Sequence, residues 1–221
     1  MSPESWLTLL EEHRAFAVIR TSNYAQGQRM AAAVIEAGMR LIEITWDSDR
    51  AIELIAQVGQ DYPEAIVGTG TVLDRPMLDE AIAAGVKFIF SPHMNLEMIR
   101  VAAEQQVPVI PGALTPSEIV DAWQAGAYSV KVFPISAVGG ASYLKSLQGP
   151  LGNIPLIPTG GVTLQNASTF LDLGAIAIGL SSHLFPNRLV ASNNWSLITR
   201  RATALMVNIT GKLQPRNSAN P

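Results

Sequence analysis

The chain has 221 residues, a length that one barrel or one doubly wound domain fills and that buries a sizeable core. Hydrophobic residues make up 48% and charged residues 15%, a globular composition that excludes a disordered or fibrous chain. A net charge of -3 argues against nucleic acid and acidic membrane surfaces as partners, and the absence of cysteine excludes a disulfide framework and a thiolate metal site.

That absence fits a cytoplasmic protein. Residues 1–10 do not read as a signal peptide, because they lack a basic start and Glu4, Glu11 and Glu12 flank their short apolar run. No apolar run approaches the roughly 18 residues needed to span a bilayer.

Taken in chain order, residues 1–14 read as a helix lying across one end of the fold. Strand candidates then follow at 15–20, 40–46, 65–68, 87–91, 107–110, 129–133, 155–158 and 175–178. Stretches of helical periodicity separate them, such as 24–37, 74–84 and 116–125. Several close on a glycine, at Gly38, Gly85, Gly126 and Gly174. Eight strands alternating with helices predict an α/β fold with a parallel sheet, and the number eight favours a closed TIM (β/α)8 barrel. We expect one domain over residues 1–221, ending in a polar, frayed tail at 212–221.

In such a barrel, chemistry sits where strands end and the following loops begin. The chain has four lysines, and Lys131 stands in the middle of the sixth strand, between Val130 and Val132. If the valines face the helices, alternation turns Ser129, Lys131 and Phe133 toward the barrel axis. Desolvation there frees a neutral amine, which attack on a ketone requires. The structural alternative is a lysine that snorkels out or pairs with a carboxylate. Lys87, at the start of its strand, reads as structural or solvated.

Glu43 repeats the anomaly in the second strand. Ile42 and Ile44 point one way, and Leu41, Glu43 and Thr45 the other. A carboxyl beside a Schiff-base lysine can move protons. The alternative is a buried ion pair with Lys131 or Arg20. Arg20 ends the first strand, where it could clamp a carboxylate with two hydrogen bonds or be a plain rim arginine. Gly68-Thr-Gly-Thr71 follows the third strand, Thr159-Gly-Gly161 the seventh and Gly179-Leu-Ser-Ser182 the eighth. The last two are positions where barrels bind phosphate through backbone N–H groups; tight turns are the alternative. Asp47 and Asp49 read as a solvated pair. His13, His93 and His183 lack metal-ligand spacing, so no metal is expected.

Six segments together resemble the KDPG/KHG aldolase family: Glu-Ile-Thr at 43–45, Ile-Val-Gly-Thr-Gly-Thr-Val-Leu at 66–73, Ser-Pro at 91–92, Val-Ile-Pro-Gly at 109–112, Val-Lys-Val-Phe-Pro at 130–134 and Pro-Thr-Gly-Gly-Val at 158–162. They run in order over most of residues 15–190. The family comprises class I aldolases acting on 2-keto-3-deoxy-6-phosphogluconate and 4-hydroxy-2-oxoglutarate.

The resemblance implies Lys131 as the Schiff-base lysine and Glu43 as the acid/base carboxyl. It puts Arg20, Thr71, Pro92, Phe133 and Thr159 around the substrate. Gly160, Gly161, Gly179, Ser181 and Ser182 would hold a phosphate. It also implies a homotrimer with no cofactor and no metal, whose only other partner is a small keto acid or sugar acid phosphate. Many members carry an arginine where this chain has Asp47, an acid that would repel a carboxylate. The 2-keto-3-deoxy-6-phosphogalactonate branch is similar here, with a first-strand arginine like Arg20 and a Gly-Leu-x-Ser loop like 179–182.

The expected function is cleavage of a phosphorylated 2-keto-3-deoxy sugar acid to pyruvate and glyceraldehyde 3-phosphate. The alternatives are the same chemistry on 4-hydroxy-2-oxoglutarate and a barrel that binds such a ligand without turning it over.

Overall fold

The computed structural model describes residues 1–210; the expected tail at 212–221 lies outside the described residues. The chain opens with α1 (Pro3–His13), followed by β1 (Ala15–Ile19), α2 (Tyr24–Glu36), β2 (Leu41–Thr45), α3 (Ala51–Asp61), β3 (Ile66–Gly70) and α4 (Arg75–Ala83). It continues through β4 (Ile89–Phe90), α5 (Leu96–Glu104), β5 (Val109–Ile110), β6 (Gly112–Ala113), α6 (Pro116–Gln124), β7 (Val130–Val132) and α7 (Ala141–Leu151). The last elements are β8 (Leu156–Pro158), α8 (Ala167–Asp172), β9 (Ile178–Leu180), α9 (Asn187–Ala191) and α10 (Trp195–Thr210).

The strands are all parallel and close into a ring. Six pair in the order β5-β4-β3-β2-β1-β9, and three in the order β6-β7-β8. A bridge from Thr159 to Gly179 and a hydrogen bond from Ile176 N to Leu156 O (3.1 Å) join β8 to β9. On the other side β5 and β6 are one strand of the barrel interrupted at Pro111. Proline has no N–H to give the ladder, although its carbonyl still accepts from Lys131 N at 2.9 Å. Among the described residues, nine short strands thus make the expected eight-fold barrel.

Strand periodicity sorts the residues into two cores. Ala15, Ala17, Ile42, Ile44, Val130 and Val132 point outward and pack with the helices in one cluster. Phe16, Leu41, Phe88, Phe90, Ile110 and Ile157 fill the barrel interior in another. The predicted facing of β2 and β7 follows, since Glu43 and Lys131 share the inward side with Leu41 and Ser129.

The helix α1 closes the N-terminal end of the barrel. Trp6 and Leu10 are fully buried, and Trp6 packs against Phe16 and Phe88 at centroid distances of 6.1 and 5.7 Å. Its indole N–H donates to Ser129 Oγ at 3.1 Å, so the polar atom of the plug has a partner. The four glycines expected to end helices all have positive φ, from 76° at Gly85 to 101° at Gly126.

Several boundaries differ from expectation. β3 runs to Gly70, so Gly68 and Gly70 lie inside a strand and only Thr71 follows it. The last strand is Ile178–Leu180, later than 175–178, so Gly179 and Leu180 are strand residues and the turn begins at Ser181. In both places glycine, which reads as a loop, sits in a strand where a neighbour leaves no room for a side chain.

Candidate active site

The C-terminal end of the strands opens into a cavity of about 280 Å³. Its walls include every residue that the resemblance assigned to catalysis, substrate or phosphate: Arg20 after β1, Glu43 on β2, Thr71 after β3, Pro92 after β4, Lys131 and Phe133 at β7, Thr159, Gly160 and Gly161 after β8, and Gly179, Ser181 and Ser182 at β9. Three further residues line it: Val18, Val162 and His183. His183 was set aside as an isolated histidine; its position one residue beyond Ser182 was the available signal.

Lys131 is 6% exposed and Glu43 2% exposed. The Lys131 amine lies 4.5 Å from the centroid of the Phe133 ring and 5.6 Å from that of Phe90. Burial pushes Lys131 below the usual lysine range; the nearby Glu43 opposes that shift and Arg20 adds to it. Burial pushes the Glu43 carboxyl above its usual range, opposed by Lys131 and then Arg20. Both shifts run toward the neutral forms, amine and carboxylic acid. Among the described residues no hydrogen bond or ion pair joins Glu43 to Lys131, which leaves the amine open to an incoming carbonyl.

The position of Glu43 depends on a glycine across the β2–β3 ladder. A Cβ built on Gly70 would lie 1.8 Å from Glu43 Oε1, so only glycine leaves space for the carboxyl. Gly68 likewise makes way for Phe88, whose ring would be 2.4 Å from an added Cβ.

At the rim, Arg20 is ion-paired with Asp47 and donates from its other terminal nitrogen to Thr71 Oγ1 at 3.0 Å. Thr71 holds a left-handed backbone with φ 63°, a conformation that costs a β-branched residue energy and marks a constrained site. Asp47 and Asp49 are both exposed, as expected of a solvated pair, and each also has a partner. Asp47 binds Arg20 across 27 residues of sequence, and Asp49 Oδ2 accepts from the Tyr24 backbone N–H at 3.0 Å, at the start of α2. Asp47 does not stand bare against a substrate carboxylate, because its charge is matched by the arginine that would do the clamping.

The other side of the mouth is glycine-rich backbone. Gly160 and Gly161 have φ of 80° and 98°, and the turn packs against Phe133 and Ser136. Ser181 begins a tight turn in which its carbonyl accepts from Leu184 N (2.8 Å) and Phe185 N (2.9 Å). Two turns carrying N–H groups and hydroxyls thus face one cavity, an arrangement suited to an anion.

A closed parallel barrel with a ligand-sized pocket at its C-terminal mouth defines a class, that of (β/α)8 proteins whose site is built from the loops after the strands. Comparison with known proteins narrows this. The model of the KDPG and KHG aldolase family matches residues 7–201. The 2-dehydro-3-deoxy-phosphogluconate aldolase of Dickeya dadantii is 35% identical over 181 residues, covering 82% of this chain and 85% of that protein. The KHG/KDPG aldolase of Escherichia coli strain K12 is 34% identical over 173 residues, covering 78% and 81%. The solved KDPG aldolase of Legionella pneumophila, with pyruvate captured at low pH as a covalent carbinolamine intermediate, superposes with a TM-score of 0.84 at 26% identity, covering 93% of this chain and 98% of that one. The chain belongs to the KDPG and KHG aldolase family.

Proposed function

We propose that the protein is a class I aldolase that cleaves a 2-keto-3-deoxy-6-phospho sugar acid to pyruvate and glyceraldehyde 3-phosphate through a Schiff base on Lys131. The observation that carries this reading is the buried Lys131 amine, lowered in pKa, beside a buried Glu43 at the mouth of the barrel. The carbinolamine captured in the Legionella relative supports the same chemistry.

Lys131 Nζ attacks the C2 carbonyl. Glu43, in its acid form, gives a proton to the departing hydroxyl, and water leaves a protonated imine. Glu43, now a carboxylate, takes the proton of the C4 hydroxyl. The C3–C4 bond then breaks, its electrons flow into the iminium, and the aldehyde departs. The enamine carbon takes a proton back from Glu43, and hydrolysis releases pyruvate and the free amine. Arg20 and Thr71 hold the C1 carboxylate, and Pro92, Phe133 and Thr159 wall the pyruvate half. The backbone of Gly160, Gly161 and Gly179 with the hydroxyls of Ser181 and Ser182 holds the phosphate.

The phosphate-suited turns favour this substrate over 4-hydroxy-2-oxoglutarate. A homotrimer in the cytoplasm completes the reading: the trimer rests on the family pattern, and the location on a phosphorylated substrate. No described helix is long and apolar enough to cross a membrane.

Borohydride reduction in the presence of pyruvate tests the mechanism. The expected product is one pyruvate-derived adduct, mapped to Lys131 by peptide mass and missing in Lys131→Ala. A folded sample with no adduct, or a K131A protein with full activity, overturns it.

A further inference from the structure

On α10, well outside the ring of strands, Arg201 reaches the back of the turn after β9. Its Nη2 donates to the carbonyl oxygen of His183 at 2.5 Å, and His183 is itself a wall of the cavity next to Ser181 and Ser182. Arg201 is partly buried, and its Nε is fully enclosed with no hydrogen-bond partner. Among the described residues no carboxylate lies within 4.0 Å of it.

An enclosed Nε–H without a hydrogen-bond partner costs stability, since buried polar groups are otherwise paired. The arginine's positive charge, set behind the turn, favours an anion on the cavity side. The contact also fixes the direction of the peptide between His183 and Leu184, in a turn whose carbonyl at Ser181 is already committed to Leu184 and Phe185. Freed of that anchor, the turn loses the orientation of its hydroxyls and N–H groups toward the cavity.

We infer that Arg201 is a positioning residue for the anion end of the site, which by a charge behind the 181–183 turn and a bond to the His183 carbonyl makes the protein select phosphorylated over unphosphorylated substrates. The inference rests on the phosphate assignment of this mouth. It predicts that Arg201 governs affinity for the phosphate group alone, with no effect on the amine chemistry some distance away on β7.

The test is a titration of inorganic phosphate followed by thermal shift, with pyruvate trapping run in parallel, on the wild-type protein, Arg201→Met, Arg201→Gln and Arg201→Lys. In R201M and R201Q the apparent dissociation constant for phosphate rises at least about tenfold, the size of one lost charge-assisted contact. R201K stays within about threefold of wild type, and all variants trap pyruvate as wild type does. A phosphate affinity within twofold of wild type in R201M overturns the inference; if R201M does not fold cooperatively, the same result in R201Q does so. Loss of trapping in the wild-type protein overturns the Schiff-base reading instead, and leaves the phosphate comparison intact.

Discussion

Burial pushes the Lys131 amine and the Glu43 carboxyl toward their neutral forms, and that has consequences along the pH axis. Because burial lowers the Lys131 pKa, neutral amine is present below the ordinary lysine value of ~10.4. The rate of pyruvate adduct formation is expected to rise with pH and level off clearly below that value. A limb that keeps rising to about 10.4 would show the amine to be water-exposed. The same shifts act on stability. Between the lowered folded pKa of Lys131 and ~10.4 the unfolded chain binds a proton that the folded chain does not, so stability increases with pH there. Glu43 acts the other way: between ~4.3 and its raised folded value the folded chain holds the extra proton, and stability falls as pH rises. Urea denaturation across pH should lose the first slope in Lys131→Met and the second in Glu43→Gln.

Asp47 is a second residue with a measurable part. Its pair with Arg20 is half-exposed, so removing it costs the fold at most about 1 kcal/mol. The loss falls on Arg20, which then keeps only Thr71 as a partner. Asp47→Ala is expected to raise KM about fivefold, close to ~1 kcal/mol of binding, with kcat nearly unchanged. A lower KM would mean that Asp47 opposes the substrate carboxylate rather than aiming its clamp.

Among the elements, β3 does the least visible work. Beyond Ile66 its inward positions are glycines because the space belongs to neighbours: Phe88 opposite Gly68, and the Glu43 carboxyl opposite Gly70. Gly70→Ala would push Glu43 from its place by an ångström or more while leaving every chemical group present. Displacements of that size cost about 100-fold in kcat, and steady-state rates with unchanged far-UV circular dichroism would register it. Substitution without loss of rate would mean Glu43 works from another rotamer.

This element also marks the limit of what the sequence alone revealed. The faces of β2 and β7 were legible because a charged residue between β-branched neighbours has one reading under a period of two. The glycines of β3 and β9 were placed in loops, because glycine carries no pattern of its own and its reason lies on an adjacent strand. The partner of Asp47 and the strained backbone of Thr71 were illegible for a related cause. Each depends on a turn geometry or on a residue distant in the chain. The break at Pro111 could have been read, since a proline inside a strand removes one ladder donor.

For the whole molecule, chemistry and stability are divided between the two ends of the barrel. Trp6 fills the N-terminal end beneath Phe16 and Phe88, while Lys131 and the cavity lie toward the other. Trp6→Ala should destabilise the protein by ~3–5 kcal/mol, as removal of a large buried aromatic does. Below its lowered melting temperature it should retain kcat. A large loss of kcat in a folded W6A protein would mean that the two ends are coupled.

The plug has a further consequence for how the chain is made. Trp6 donates to Ser129, which is 123 residues further along the chain. During synthesis α1 leaves the ribosome early, but the floor it must cover is not complete until β7 has followed. For that interval the helix carries a bare tryptophan and leucine on one side. The barrel is sealed late by one of its earliest-made pieces, and a nascent chain halted before β7 has nowhere to put them.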